Sequence, residues 1–483
     1  MSNSLRKRVT KGVVWIEAST IFVTVVNFLA LAILARLFSP QEFGVMGMLM
    51  VVINLIQVFS DFGFTAAIIQ KQDLTAEQLS TLFFFNVGFG VVFCLLGYVF
   101  SSLTAALFNV PELSSLIKVI SISFIFISIG QMFRALLQKE FKFRSLFFLD
   151  VITNSIYAVS TIVFVGAGFG VWGLAYGFLI YQVSVIFMAI LLESFRPQFA
   201  FSLSSAIKLI QFGGYVVGEK FLNYLNRNLD YIIVGRYLGA QALGYYSLAY
   251  TIMLVPVSRI AGVIMQVAFP AFSRIQSDDH KMRNGYLKVL KCISLVTFPL
   301  MAGLFIYAEE FILVIFGMKW SPAVLIVKIL CVVGALQSIG TTVGMVIYAR
   351  GRPDISFRWN IFAALVCAAA FWTGKHWGII GVAMMYTIAS IFLFPIIQVI
   401  TNNLIKLKTN DFLLNFVDSI KLTIIVVIAM YIHKYWIARC FHWSDIQTFW
   451  SGIVLGTCIY AVYLYKWNHG LIREVMSGFS PDE

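Results

Sequence analysis

Between Glu219 and Tyr231 the chain reads EKFLNYLNRNLDY. Glu219, Asn223, Asn226 and Asp230 follow one another by four, three and four, so on a helix they form one stripe. Lys220, Tyr224 and Arg227 lie on the adjacent stripe, and Phe221, Leu222, Leu225 and Leu229 fall mostly behind. The result is a polar face carrying both signs of charge and several amides. Its chemistry is that of ion and hydrogen-bond exchange with water, not of a nucleophile and its base. The alternative is internal pairing, Glu219 with Lys220 and Arg227 with Asp230, which would only fix packing.

The flanks make this face unusual. IKLIQFGGYVVG precedes it and IIVGRYLG follows it, and both are apolar. The whole chain is 60% hydrophobic and 12% charged, against about 25% charged in soluble proteins. Apolar runs of about 20 residues, enough to cross a bilayer core as a helix, recur from end to end. The period is helical, which excludes a β-barrel. Fourteen spans are expected, from 13–35 to 446–466, with the second at 43–65, the seventh at 208–233 and the eighth at 241–267. The fold class expected is an all-α polytopic membrane protein. About fourteen transmembrane helices would form two parallel-repeated six-helix bundles around a central cavity, plus two C-terminal helices. The basic start SLRKRVTKG runs straight into a full-length span, the pattern of an uncleaved segment.

The formal charge of +13 invites a nucleic-acid reading, but its distribution excludes one. Lys and Arg concentrate in the segments on one side, in clusters such as KEFKFR at 139–144 and GRPDISFR at 351–358. The opposite loops carry Arg36, Arg236, Lys319, Lys375, Lys434 and Arg439, with Glu42, Glu112, Glu309, Glu310 and Asp445 as their acids. That asymmetry is the positive-inside pattern and places both termini in the cytoplasm. The six cysteines show no CxxC and no metal spacing. No cofactor, metal site or catalytic group is expected. The pair Asp278–Asp279 followed by His280 is the nearest approach to a metal set.

The chain also repeats itself. LARLFSPQEFG (34–44) returns as VGRYLGAQALG (234–244), so that Arg36 matches Arg236, Gln41 matches Gln241 and Gly44 matches Gly244. GVWGLA (170–175) is echoed by GIIGVA (378–383). Halves of six spans each run in the same direction, a parallel repeat with a substrate path between the halves. The expected division is an N-terminal bundle at 1–195, a second bundle at 196–405, and spans thirteen and fourteen with a tail at 406–483.

A charge at membrane depth costs at least about 2.5–3.5 kcal/mol unless it faces protein or water. The face on span seven is too wide for one partner helix to close, so it should line an aqueous cavity. Span two repeats the theme with Asn54, Gln57 and Asp61. Span one adds Glu17 and Asn27, span eight Arg259 and span ten Lys328. Each has a plainer alternative. Tyr224 and Asn223 suit helix-to-helix packing. Arg259 and Lys328 lie near span ends, where they can snorkel. Arg36 and Arg236 suit structural roles at the outer interface.

The succession LARLFSPQEFG, SDFGFTAAIIQ (60–70), NYLNRNLDYIIVGRYLGAQALGYYSLAY (223–250), VAFPAFSRIQSDD (267–279) and FGMKWSPAV (316–324) resembles one family in particular. It is the polysaccharide-transport branch of the multidrug/oligosaccharidyl-lipid/polysaccharide exporter superfamily, nearest to Wzx-like flippases of the colanic acid and teichuronic acid exporter type. The similarity covers nearly the whole chain. It implies that an undecaprenyl-diphosphate-linked oligosaccharide is moved from the inner to the outer leaflet of a bacterial cytoplasmic membrane. The implied mechanism is alternating access driven by an ion gradient. A polysaccharide polymerase and export machinery would then act as partners, with membrane lipids around. For such a substrate, depth and spacing point to bases for the diphosphate, with Lys220 and Arg227 first and Arg259 and Lys328 after them. They point to amides and aromatics for the sugars, Asn223, Tyr224, Asn226, Asn54, Gln57 and Asn27. They leave Asp61, Glu17, Glu219 or Asp230 to take up H⁺ or Na⁺, and the family motif itself certifies none of these residues as a ligand. Three readings compete: a drug or small-cation antiporter of the same superfamily, a flippase for the peptidoglycan precursor lipid, and a membrane-embedded glycan polymerase or glycosyltransferase. The last normally needs large outer loops with clustered acids, and those loops are short here.

Overall fold

The structure, a computed structural model, describes residues 3–60, 68, 74–198, 203–275 and 278–467. Among the described residues all regular structure is helical. Eleven segments there are long and apolar enough to cross a membrane. One of them, Pro353–Leu404, holds two helices, Pro353–Gly374 and Gly378–Leu404, joined by the turn Lys375–Trp377. A further helical stretch, Leu203–Arg274, is broken at Gly239, whose φ of 86° and ψ of 176° divide it into two legs. Only glycine adopts such angles without strain. Counted this way the helical legs number fourteen, in the places the apolar runs indicate. The chain is a multi-pass membrane protein.

The chain divides into two compact units, 1–244 and 245–483. In the first, span one is the helix Asn3–Leu37 and span two is Pro40–Ser60. The start of span two is written in SPQE. The Ser39 hydroxyl accepts from the Glu42 amide at 3.2 Å, and the Glu42 carboxylate accepts from the Ser39 amide at 2.8 Å. Pro40 stands at the first helical position, where its missing N–H costs nothing. Span three, Ala76–Phe108, opens on the same kind of reciprocal cap between Thr75 and Gln78 and closes on Asn109 in the left-handed region. Small and polar residues, not extra apolar bulk, set the close contacts between spans. Gly90 packs against Ser128 and Gly97 against Ser121, while the Asn86 amide donates to the Ser128 carbonyl at 2.7 Å.

The repeated sequence forms a reciprocal contact. A methyl group on Gly44 would overlap the carbonyl oxygen of Ala240, and one on Gly244 would overlap the carbonyl oxygen of Pro40. Positions 40 and 240 match in the repeat, as do 44 and 244, so each copy presents its glycine to the other's backbone. This is the pattern of a two-fold contact between like surfaces. Arg236 donates to the carbonyl of Ala106 at 2.8 Å and to Asn109 Oδ1 at 2.7 Å, closing the end of span three. Its role there is structural.

In the second unit, span nine (Asp279–Ile306) is the central strut. Ser294 and Ser419 lie 2.7 Å apart, Thr297 and Ser338 3.0 Å, and Lys291 reaches Asp418 at 2.6 Å. Leu295, Ile306 and Tyr307 share a core with Leu422, Val426, Met430, Phe449 and Tyr463, so spans thirteen and fourteen pack on span nine. One expectation is corrected here. Lys434 and Glu310, assigned to outer loops from sequence, form an ion pair at 2.7 Å with both side chains 9% exposed. Lys434 also donates to the Ile306 carbonyl at 2.9 Å. A π-helical turn at His433–Ile437 re-aims the side chains at this point, and apolar run length carries no signal for such a turn.

Candidate functional site

Tyr224 is buried, and its hydroxyl donates to the carbonyl of Val51 in span two at 3.1 Å. Asn228 is buried one turn on. Its amide donates to the Tyr224 carbonyl at 2.8 Å, and its Oδ1 accepts from Asn54 Nδ2 at 3.4 Å. Phe221 lies against Phe59 at 5.7 Å between ring centroids. This side of span seven is therefore bound to span two. Tyr224 fills the packing role that stood beside cavity lining in the sequence reading.

Arg227 is exposed, as are Asn54, Gln57 and Asn27, while Asn226 is half-buried. Exposed surface within a span meets either lipid or water. A guanidinium inside a span is costly unless it meets protein or water, and Arg227 is exposed on the helix that carries the Asn54–Asn228 bridge. Asp230 is only 4% exposed, and its Oδ1 accepts from the Tyr231 amide at 2.9 Å. Glu17 is half-buried on span one. Arg259, exposed, and Lys328, half-buried, belong to the second unit. The side chains of Glu219, Lys220 and Asn223, and residue Asp61, lie outside the described residues.

Sequence reasoning missed three groups. Asn228 sits inside the quoted segment but off its stripe. Arg134 on span four (Glu112–Lys139) grips Asp150 on span five (Phe143–Phe169) with two bonds, Nη1 to Oδ1 at 2.8 Å and Nη2 to Oδ2 at 3.1 Å, and Ser19 on span one donates to Oδ2 at 3.4 Å. The rule that singled out Asp61, a charge within an apolar run, applies equally to both. The third is the Lys434–Glu310 pair.

At the inner loops the charges are mutually committed. The Asp278 carboxylate caps span nine, accepting from the amides of His280 and Lys281 at 3.0 Å each. The Lys281 amide bond, ahead of that from His280, holds its carboxyl below the usual range. Asp279 pairs with Arg350 and with Lys406. Both carboxylates preceding His280 thus have structural work. Among the described residues no group of three His, Cys, Asp or Glu side chains could hold a metal ion. Lys142 bridges Glu140 at 2.6 Å and Glu193 at 3.1 Å, and the Glu140 bond raises its ammonium above the ordinary lysine range.

Residues 33–325 match the family described as "Polysaccharide biosynthesis protein". The chain belongs to that family. It is 34% identical over 395 residues to Lipopolysaccharide biosynthesis protein WzxC of Escherichia coli (strain K12), covering 80% of each chain. It is 32% identical over 412 residues to Teichuronic acid biosynthesis protein TuaB of Bacillus subtilis (strain 168), covering 85% of each. Among solved structures it resembles the lipid II flippase MurJ in an inward closed conformation. The TM-score is 0.77 at 17% identity, over 94% of this chain and 99% of the other. At that identity the likeness shows a shared fold. Exposed Arg227, Asn54 and Gln57 make a polar wall within the apolar runs of spans two and seven. Nothing among the described residues of that wall arranges a nucleophile with a base.

Proposed function

We propose that this protein is a transporter, not an enzyme. It moves an undecaprenyl-diphosphate-linked oligosaccharide repeat unit from the cytoplasmic to the outer leaflet of a bacterial inner membrane, for export as exopolysaccharide, O-antigen or capsule. The observation that carries this reading is the exposed polar wall of spans two and seven, Asn54, Gln57 and Arg227, in a member of a polysaccharide biosynthesis family, a wall we read as facing water. Bundles at 1–195 and 196–405 would enclose a central cavity and alternate its access, with spans thirteen and fourteen at 406–483 packed outside. Both termini would lie in the cytoplasm, following the positive-inside asymmetry. Arg227, with Lys220, Arg259 and Lys328, would hold the diphosphate. Asn54, Gln57, Asn226, Asn223 and Asn27 would meet sugars. Asp61, Glu17, Glu219 or Asp230 would exchange H⁺ or Na⁺. A polymerase would then receive the flipped unit.

The fold shared with a lipid II flippase supports a second reading, in which the cargo is the peptidoglycan precursor lipid. One experiment separates the two. Cells depleted of the protein are scored for the leaflet in which each lipid-linked precursor accumulates. Inner-leaflet build-up of the polysaccharide repeat unit, with lipid II unaffected, is expected. Build-up of lipid II alone would replace the first reading with the second, and neither building up would end both. Single cysteines at 54, 57 and 227 should react with a membrane-impermeant thiol reagent, and the lipid-linked precursor should protect them. Silence at all three would remove the wall from the site.

A further inference from the structure

Span four and span five share the buried core of Phe133, Leu137, Leu146 and Leu149, of which the Arg134–Asp150 pair is no part. The pair is not sealed. The side chains are 35% and 21% exposed, unlike the 9% of the Lys434–Glu310 pair. Arg134 lies five residues before Lys139, the end of its helix, which is about 7.5 Å along the axis. Asp150 lies seven residues after Phe143, the start of its own. In the orientation proposed above, both lie in the cytoplasmic-side part of their spans. The surroundings are polar. Ser19 donates to the same carboxylate, Asn154 donates to the Asp150 carbonyl at 2.8 Å, and Tyr181 of span six lies close to both charges. Gln131, one turn from Arg134, has a buried Oε1 with no hydrogen-bond partner.

A bidentate arginine is matched to planar or tetrahedral oxyanions, and a carboxylate and a phosphate use the same two N–H groups. An incoming diphosphate can therefore take the place of Asp150. We infer that Arg134 is an entry site for the diphosphate of the lipid-linked substrate, with Asp150 as the resident anion that the diphosphate displaces. The inference rests on the exporter reading and adds a contact that lies apart from the polar wall of spans two and seven. Exchange of one anion for another keeps the guanidinium paired throughout, so no charge is left bare at membrane depth. It also lets the substrate leave again, because Asp150 competes for the same fork.

This competition makes the two partners opposite in effect, where a structural staple would make them alike. Binding of undecaprenyl diphosphate and of inorganic pyrophosphate is measured on the full-length protein in nanodiscs. Asp150→Asn removes the competitor and is expected to tighten undecaprenyl diphosphate about tenfold, the scale of one charge-assisted hydrogen bond. Arg134→Gln should weaken it by about as much, and the double variant should follow Arg134→Gln. Asp150→Glu keeps the competitor and should bind as wild type; that comparison with Asp150→Asn stands even if Arg134→Gln does not accumulate. A lipid-linked ligand predicts a clear preference for undecaprenyl diphosphate over pyrophosphate. Equal affinity for both would mean a site for free anions and overturn the entry role. Variants that bind as wild type, or that both weaken alike, would overturn the inference and leave the exporter reading standing. A wild-type protein that binds neither probe would remove both.

Discussion

At the scale of single residues, the charges inside the apolar spans differ in what their removal should do. Lys434 spends its donors on Glu310 and the Ile306 carbonyl, and almost none of it reaches solvent. Lys434→Met leaves a buried carboxylate without a partner and should destabilise the protein by about 3–5 kcal/mol. The double change Lys434→Met with Glu310→Leu removes both charges and should recover most of that loss. Thermal unfolding in detergent would show it as two separated midpoints, with the double variant near wild type. Asn228→Leu makes a milder case. It breaks the amide bridge to Asn54, which is exposed, at a cost of about 0.5–1.5 kcal/mol, the net worth of one hydrogen bond. Thiol labelling at position 227 should rise as span seven loosens from span two. These partners were illegible in the sequence for a simple reason. Helical spacing orders residues on one helix, but the rotation of one apolar helix against the next depends on packing. Asp150 lies 16 residues from Arg134, and Glu310 lies 124 from Lys434. The stripes on spans two and seven announced themselves, because the members of each share one helix. Even there spacing alone could not say that Tyr224 and Asn228 turn to span two while Arg227 stays exposed.

At the scale of elements, the sequence was far more readable. Hydrophobic length sufficed to place the helices, since the bilayer fixes how long each must be. Where two of them begin is set by the caps SPQE and TAEQ, which run length does not register. The repeat at 34–44 and 234–244 rested on few identities, yet two of its aligned pairs are the ones that touch. Gly44 and Gly244 are needed because each abuts a carbonyl oxygen of the opposite copy. Backbone cannot move aside as a flexible side chain can. Gly44→Ala and Gly244→Ala should therefore each force the turn between spans one and two away from the turn between spans seven and eight. The expected outcome is a protein that accumulates in the membrane but loses most transport. A cysteine pair at 40 and 244 that crosslinks in the wild-type background should fail to do so when Gly44 is alanine. Normal transport in both glycine variants would show that the close approach is incidental. Gly88, by contrast, has no atom within reach of an added methyl, so Gly88→Ala serves as the control with no effect on either readout.

At the scale of the whole molecule, the repeat accounts for twelve spans and leaves spans thirteen and fourteen without a mate. Their apolar packing on span nine is not what would make them necessary. Lipid tails would cover Leu422, Val426 and Met430 as well as a neighbouring helix does, because in a bilayer there is no hydrophobic force between helices. Lipid cannot replace Lys434 beside Glu310 or Asp418 beside Lys291. A chain ending at Leu407 should therefore fail to accumulate. The cost falls chiefly on Glu310, since Lys291 remains partly exposed and can reach the interface. An unpaired charge at depth costs at least about 2.5–3.5 kcal/mol, enough to remove much of a protein's margin of stability. If charge is the reason, Glu310→Leu should restore accumulation of the shortened chain. If apolar packing is the reason, the same substitution should do nothing, because it returns none of the lost helix contacts. Membrane fractions blotted for the four chains, full-length and shortened, with and without Glu310→Leu, decide between the two. Recovered transport in the rescued short chain would further place the path within the twelve repeated spans.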